Sequence, residues 1–143
     1  MSVSSFCPFC DKTQEFRFMA DTLHAKVIYP KSPAVDLHFL IVPKRHVQQF
    51  HELSKEELYG MHSLLNTLHD FVSSEYTNFE GYNLLSNNGS PSVNQQVPHA
   101  HMHAFFRRAG DPDPFTSSKH TAHIDFTDNQ LKFIASLKNK LNP

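Results

Sequence analysis

Three histidines stand at alternate positions in the segment Pro98-His99-Ala100-His101-Met102-His103-Ala104-Phe105-Phe106. Imidazole titrates near neutral pH, ligates transition metals and is nucleophilic while neutral, so a repeat of this kind points to metal or group-transfer chemistry. On a strand alternate side chains share a face, which would put His99, His101 and His103 on one side and Ala100, Met102 and Ala104 on the other. A histidine-rich strand facing water is the ordinary alternative. Against it, the opposite side is apolar and the run continues into Phe105-Phe106, as in a core strand, where unpartnered imidazoles are costly. Strand geometry also resists one metal held by all three, because His99 and His103 would lie about 13 Å apart at roughly 3.3 Å per residue. Neighbouring pairs can share an ion, so the three histidines are expected to divide their labour.

The second constellation is Cys7-Pro8-Phe9-Cys10, which holds both cysteines of the chain. A gap of two residues lets both sulfurs reach one tetrahedral ion, and it equally suits a redox pair. A redox motif normally follows a strand and opens a helix, whereas this pair lies near the start of the chain before an extended segment. Zinc would need further ligands. The chain has 11 histidines and no tryptophan, so ligands are plentiful.

The elements that must position these groups are legible in outline. Glu15–Met19 and Thr22–Tyr29 read as a hairpin turning at Ala20-Asp21, ended by Pro30-Lys31-Ser32-Pro33, whose prolines remove backbone donors. His38–Pro43 is a short apolar run of buried-strand type. Ser54 and Glu57 form a capping box, followed by Leu58, Met61, Leu65, Leu68 and Val72 at helical spacing. Gly81–Leu85 reads as a strand leading into the polar loop Ser86–Asn94. His99–Arg107 reads as a strand, and Thr127–Leu141 as a closing helix with Gln130 at its third position. The order predicts an α+β domain with a mostly antiparallel sheet of about five strands and two helices.

With 143 residues, 39% of them hydrophobic and 19% charged, the chain suits one globular domain spanning residues 1–143. A formal net charge of -1 without a basic run argues against nonspecific nucleic-acid binding, which needs many phosphate contacts. No apolar stretch is long enough to span a bilayer, and residues 1–10 lack the form of a secretory signal, so a cytoplasmic location is expected.

The pattern from His99 to Phe105 resembles the signature of the histidine-triad (HIT) superfamily. His38-Phe39-Leu40-Ile41-Val42-Pro43-Lys44-Arg45-His46 is similar to that family's second block, and Asn88-Gly89 lies eleven residues before His99, as in relatives. The resemblance covers roughly Cys7 to Arg108. It implies a nucleotide hydrolase that cleaves a phosphoanhydride or phosphoramidate bond next to a nucleoside monophosphate, as in dinucleoside polyphosphate hydrolases and nucleoside phosphoramidases. It assigns His101 as the covalent nucleophile, His103 to a phosphate oxygen or the leaving group, and His38 to the histidine network. Asn88, Gln95, Gln96 and His103 would serve the phosphates. In relatives that carry the cysteine pair, Cys7, Cys10, His46 and His99 would hold a structural Zn2+ at an N-terminal knuckle over about residues 6–11. A homodimer is implied, joined through a helix and a sheet-extending strand, for which the apolar second block and the Ser54–Val72 helix are the candidates. His103, where nucleotide-transferring branches carry Gln, favours hydrolysis.

Three positions depart from the family pattern. Pro30 stands where relatives place an Asp or Asn on the ribose hydroxyls, and a prolyl ring neither donates nor accepts. Gln96 replaces a Ser or Thr, and Asn94 replaces a Gly; Tyr29 or Asp36 could supply another sugar partner. The alternative from another class is a noncatalytic nucleotide-binding or scaffold protein that keeps the fold. A DNA-end-processing relative would want a second zinc module or a basic tail, and Asn139–Pro143 supplies neither. His24, His51, His62, His69, His120 and His123 match no block and are assigned nothing.

Overall fold

The computed structural model describes residues 7–115 and 126–143; His120 and His123, and the start of the expected knuckle at Phe6, lie outside them. Five strands form one open antiparallel sheet: β1 (Phe18–Asp21), β2 (Ala25–Ile28), β3 (His38–Pro43), β4 (Phe79–Leu85) and β5 (Met102–Arg108), in the spatial order β1-β2-β3-β5-β4. Among the described residues two α-helices, α1 (Lys55–Glu75) and α2 (Asp128–Leu141), join the sheet in an α+β fold. Among the described residues no helix is long and apolar enough to cross a membrane.

The period-2 rule places Phe39 and Ile41 of β3 on one face and His38, Leu40 and Val42 on the other. All of β3 is buried because both faces are covered. On one side Phe39, Ile41, Val27, Ala104 and Phe106 pack against Met61, Leu64, Leu68 and Val72 of α1 and Ile134 and Leu137 of α2. On the other side Ile28, Leu40 and Val42 pack against Cys7 and Phe9 of the N-terminal segment. The second side carries the chemistry. Register pairs His38 with Phe105 and Leu40 with His103 across β3 and β5, and Asn83 and Leu85 of β4 with the same two β5 residues.

Both helix starts follow the capping boxes in the sequence: Ser54 accepts from Glu57 N, and Thr127 from Gln130 N. The buried stripe of α1 differs from the expected one. Leu64 lies in the core, while Leu58 is exposed and Leu65 only half-buried. Glu57 at the third helical position is itself buried, because its carboxylate accepts two bonds from Arg45 (Nε 3.0 Å, Nη2 2.9 Å) besides the Ser54 N–H at 2.8 Å.

The first hairpin is displaced from its expected position. Lys12–Arg17 forms 3₁₀ turns, begun where the Asp11 carboxylate accepts from Thr13 N, so β1 starts at Phe18 rather than Glu15. The reversal falls after Asp21, not at Ala20-Asp21: Thr22 N donates to Ala25 O, and Thr22 Oγ1 accepts from Ala25 N. β4 begins two residues earlier than read, at Phe79. The largest correction is at β5, which starts at Met102 rather than His99. Ala100 N donates to Val47 O at 2.7 Å and His99 N to Val97 O at 2.8 Å, so local and cross-loop bonds replace the ladder there.

The Arg45 guanidinium, with help from Ser54, holds the Glu57 carboxyl down to about 2 from its usual value near 4.5. A depressed carboxylate pKa stabilises the fold above the unfolded value and loses that contribution as pH falls through the folded one. Glu57→Gln should therefore melt several degrees below the wild type at pH 7. The difference should close as pH falls from about 4.5 toward 2; thermal melts across that range test it, and a constant difference would refute the pairing as its source.

Candidate active and metal site

The site is built where the end of β3, the segment before β5 and the N-terminal turn meet. Cys10 N donates to Cys7 O at 3.0 Å, closing the turn that brings both sulfurs together. Cys7 Sγ lies 3.4 Å and Cys10 Sγ 3.6 Å from His99 Nδ1. His46 Nδ1 lies 3.5 Å from Cys10 Sγ and 3.2 Å from His99 Nδ1. One ligand atom from each of Cys7, Cys10, His46 and His99 falls within 4.8 Å of all the others.

These separations fit an ion. A tetrahedral zinc with bonds of about 2.3 Å to sulfur and 2.05 Å to nitrogen has S···N edges of about 3.6 Å and N···N edges of about 3.3 Å. The lone pairs fit as well. His99 Nε2 lies 2.9 Å from the Pro43 carbonyl, which can only accept, so Nε2 carries the proton and Nδ1 presents its lone pair to the cluster. His99 is fully buried, and that burial, only partly offset by the Pro43 bond, holds its pKa down to about 4, keeping it neutral as a ligand must be. Burial, with Cys7 beside it, pushes the Cys10 thiol up to about 11. A divalent cation is the charge that would reverse that penalty.

The same logic sets the other two ladder histidines. His101 is 5% exposed, and its Nδ1 donates to the His99 carbonyl at 2.7 Å, which leaves the lone pair on Nε2. Burial lowers its pKa, so the neutral form is favoured. His103 lies beside it, with ring centroids 5.0 Å apart. His38 Nδ1 accepts from Ala34 N at 3.0 Å, so its proton sits on Nε2 and is donated to His103 Nδ1 at 3.0 Å. That in turn puts the His103 proton on Nε2, making it a donor position. Main-chain groups thus set three different tautomeric states along the repeat: His99 offers a lone pair to the thiol cluster, His101 keeps its lone pair on Nε2, and His103 carries its proton on Nε2. Phe105 supports the pair, 4.4 Å from His38 and stacked at 5.6 Å on His103.

The loop residues take up positions that spacing did not reveal. Gln95 is buried; its carbonyl oxygen accepts from Gly89 N and its amide donates to Gln48 O and Val97 O. Both of its N–H groups are therefore committed to holding the loop. Asn88 accepts from Phe50 N and donates to Ser86 Oγ, which donates to the His101 carbonyl. Gln96 is exposed. Asn94 adopts a left-handed φ of 72°, the conformation Gly favours and Asn tolerates, which explains why Asn can stand there. Tyr29 and Asp36 are occupied elsewhere: the Tyr29 hydroxyl donates to Asp36 O, and the Asp36 carboxylate pairs with Arg108. Phe9, Ser86 and Phe105 were not singled out from sequence; for Phe9 the signal was its place between the two cysteines.

A model of the HIT domain matches residues 12–110. An uncharacterized HIT-like protein of Methanocaldococcus jannaschii is 29% identical over 114 residues, 73% of this chain and 81% of its own. The adenosine 5'-monophosphoramidase hnt1 of Schizosaccharomyces pombe is 31% identical over 85 residues, 59% of each chain. Among solved structures, a Zn-bound histidine triad family protein from Mycobacterium smegmatis superposes with a TM-score of 0.61 at 20% identity, covering 87% of this chain and 85% of that one.

Proposed function

Because this chain belongs to the HIT family, we propose that it is a nucleotide hydrolase in which His101 Nε2 attacks the phosphorus of a nucleoside phosphate. The observation that carries this reading is the 2.7 Å bond from His101 Nδ1 to the His99 carbonyl, which leaves the Nε2 lone pair unprotonated beside the His103 ring. The Nε2–P bond forms as the P–O or P–N bond to the leaving group breaks, and the electron pair departs with the leaving atom. Retaining its Nδ1 proton, the phosphorylated ring is an imidazolium and a good leaving group. Water then attacks phosphorus from the opposite side, the N–P bond breaks with its electron pair returning to His101, and the water proton passes to a phosphate oxygen of the released nucleotide. His103 donates to a phosphate oxygen or the leaving atom. His38 fixes its tautomer.

Asn88 and Gln96 stand at the loop that would meet the phosphates, and Gln95 acts by anchoring that loop. The similarity to a named phosphoramidase supports a phosphoramidate or phosphoanhydride as the labile bond. With Cys7, Cys10, His46 and His99 as ligands, zinc would supply a structural cross-link between the N-terminal turn and the strand ends, not a Lewis acid for the reaction. Incubation with adenosine phosphoramidate and with a diadenosine polyphosphate, followed by acid-free quenching and intact-mass analysis, tests the reading. A nucleotidyl adduct on His101 is expected; an unmodified chain with no turnover would favour the noncatalytic binder.

We also propose a homodimer formed along β4, not along the second block as expected, because β3 lies between β2 and β5 and has no free edge. Tyr82 and Leu84 are exposed on this edge strand, and Leu58 and Tyr59 on α1. A second copy would extend the sheet and cover that apolar surface. Light scattering at micromolar concentration should give twice the chain mass, and Leu84→Arg should halve it; a wild-type monomer would refute the interface.

A further inference from the structure

Phe9 sits between the two cysteines yet belongs, by its contacts, to both halves of the site. Its ring is 4% exposed and meets His99 edge-on, with centroids 5.6 Å apart at 74°. It meets His101 in the same manner, at 5.2 Å and 77°. Both are within the range where aromatic rings hold one another in a defined orientation. The backbone of Phe9 is held on either side, by Cys7 two residues before and Cys10 directly after, with the turn closed by the Cys10 N to Cys7 O bond. The sulfurs and the His99 ring are tied by the cluster they share, so whatever fixes the cluster fixes this phenyl ring. A second link runs through the backbone, since the carbonyl that orients His101 belongs to the ligand His99.

We propose that Phe9 is a positioning residue that transmits the state of the Cys7–Cys10–His46–His99 cluster to the orientation of the His101 ring. This rests on the reading of His101 as nucleophile. In this arrangement the knuckle does more than tether the start of the chain. It presses one ring against the histidine whose Nε2 must meet phosphorus in line, where a misplacement of about 1 Å can cost ~10²-fold in rate. A simple filler would be replaceable by any apolar side chain of similar volume, and this difference makes the proposal testable.

The experiment compares the wild type with Phe9→Leu and Phe9→Tyr, each as isolated, after chelation, and after zinc is restored. Zinc content is measured together with kcat, KM and the ring-nitrogen NMR shifts of His101. Phe9→Leu is expected to keep stoichiometric zinc, since every ligand remains, yet to lose ten- to a hundredfold in kcat with KM little changed. Phe9→Tyr, which keeps the ring, should recover most of that loss. In the wild type the His101 signals should move when zinc is removed and return when it is restored; in Phe9→Leu that response should shrink to the part carried by the His99 carbonyl. An unchanged kcat in Phe9→Leu, or a His101 signal that follows zinc equally in the wild type and Phe9→Leu, overturns the proposal. If the wild type shows no turnover at all, the functional reading fails, while the His101 shifts still decide whether Phe9 carries the link. Should Phe9→Leu lose zinc or fail to fold, the Phe9→Tyr protein and the wild-type zinc response decide alone: no His101 response to zinc in either overturns the proposal.

Discussion

Replacing His101 by Ala, or by Asn to keep its volume, should abolish turnover while leaving the fold and nucleotide binding intact. A covalent nucleophile has no substitute in the two-step displacement, so the loss should be at least ~10⁴-fold in kcat. Removing His103 takes away one donor to developing charge and should cost only about 10²–10³-fold. The structure gives the physical basis for that ordering. His101 is oriented by a main-chain carbonyl that keeps Nε2 unprotonated, whereas His103 is held by the His38 imidazole as a hydrogen-bond donor. Steady-state kinetics of the two variants, with circular dichroism to confirm folding, measures the gap. If His101→Ala retains near-wild-type turnover, the nucleophile lies elsewhere. A reversed order, with His103→Ala the dead enzyme, would make His103 the attacking group.

The second large effect is expected at the cluster. Cys7→Ser should lose bound zinc and thermal stability together, because Cys7 is 3% exposed and its sulfur lies against a fully buried imidazole. Metal that binds only the folded chain contributes its binding free energy to folding. Protein prepared without chelator should carry about one zinc per chain, and a chelator should lower the wild-type melting temperature while leaving that of Cys7→Ser unchanged. A metal-free wild type with a Cys7–Cys10 disulfide would refute the structural-metal reading. A variant that loses zinc but melts with the wild type would refute only its stabilising role.

Much of the architecture was legible in short-range pattern. The capping boxes at Ser54/Glu57 and Thr127/Gln130 marked both helix starts, and the apolar run His38–Pro43 is a strand buried on both faces. These features depend on residues a few positions apart, and their physics is contained in the local sequence. The ladder and the cysteine gap were equally plain as residue types, although the gap alone left zinc and redox chemistry open. The full ligand set of Cys7, Cys10, His46 and His99 followed from resemblance, and the structure brings those four together.

What tertiary structure decided is the hydrogen-bonding state of each histidine. His99 and His101 were expected on one strand face; instead Ala100 N bonds to Val47 O, and the segment leaves the ladder before β5 begins. The three tautomers follow from Pro43 O, His99 O and Ala34 N. Gln95 has the side chain of a phosphate donor, but its amide turns inward to Gln48 and Val97. Leu64 rather than Leu65 enters the core for a similar reason: spacing defines a stripe on α1, and the sheet decides which edge of that stripe it covers. The sequence by itself determined which chemistries were present, because residue type sets pKa, ligand softness and nucleophilicity. Only the folded chain determined which nitrogen carries the proton, because that depends on backbone carbonyls and amides brought together from β3, the loop after it and the approach to β5, as far as 56 residues apart.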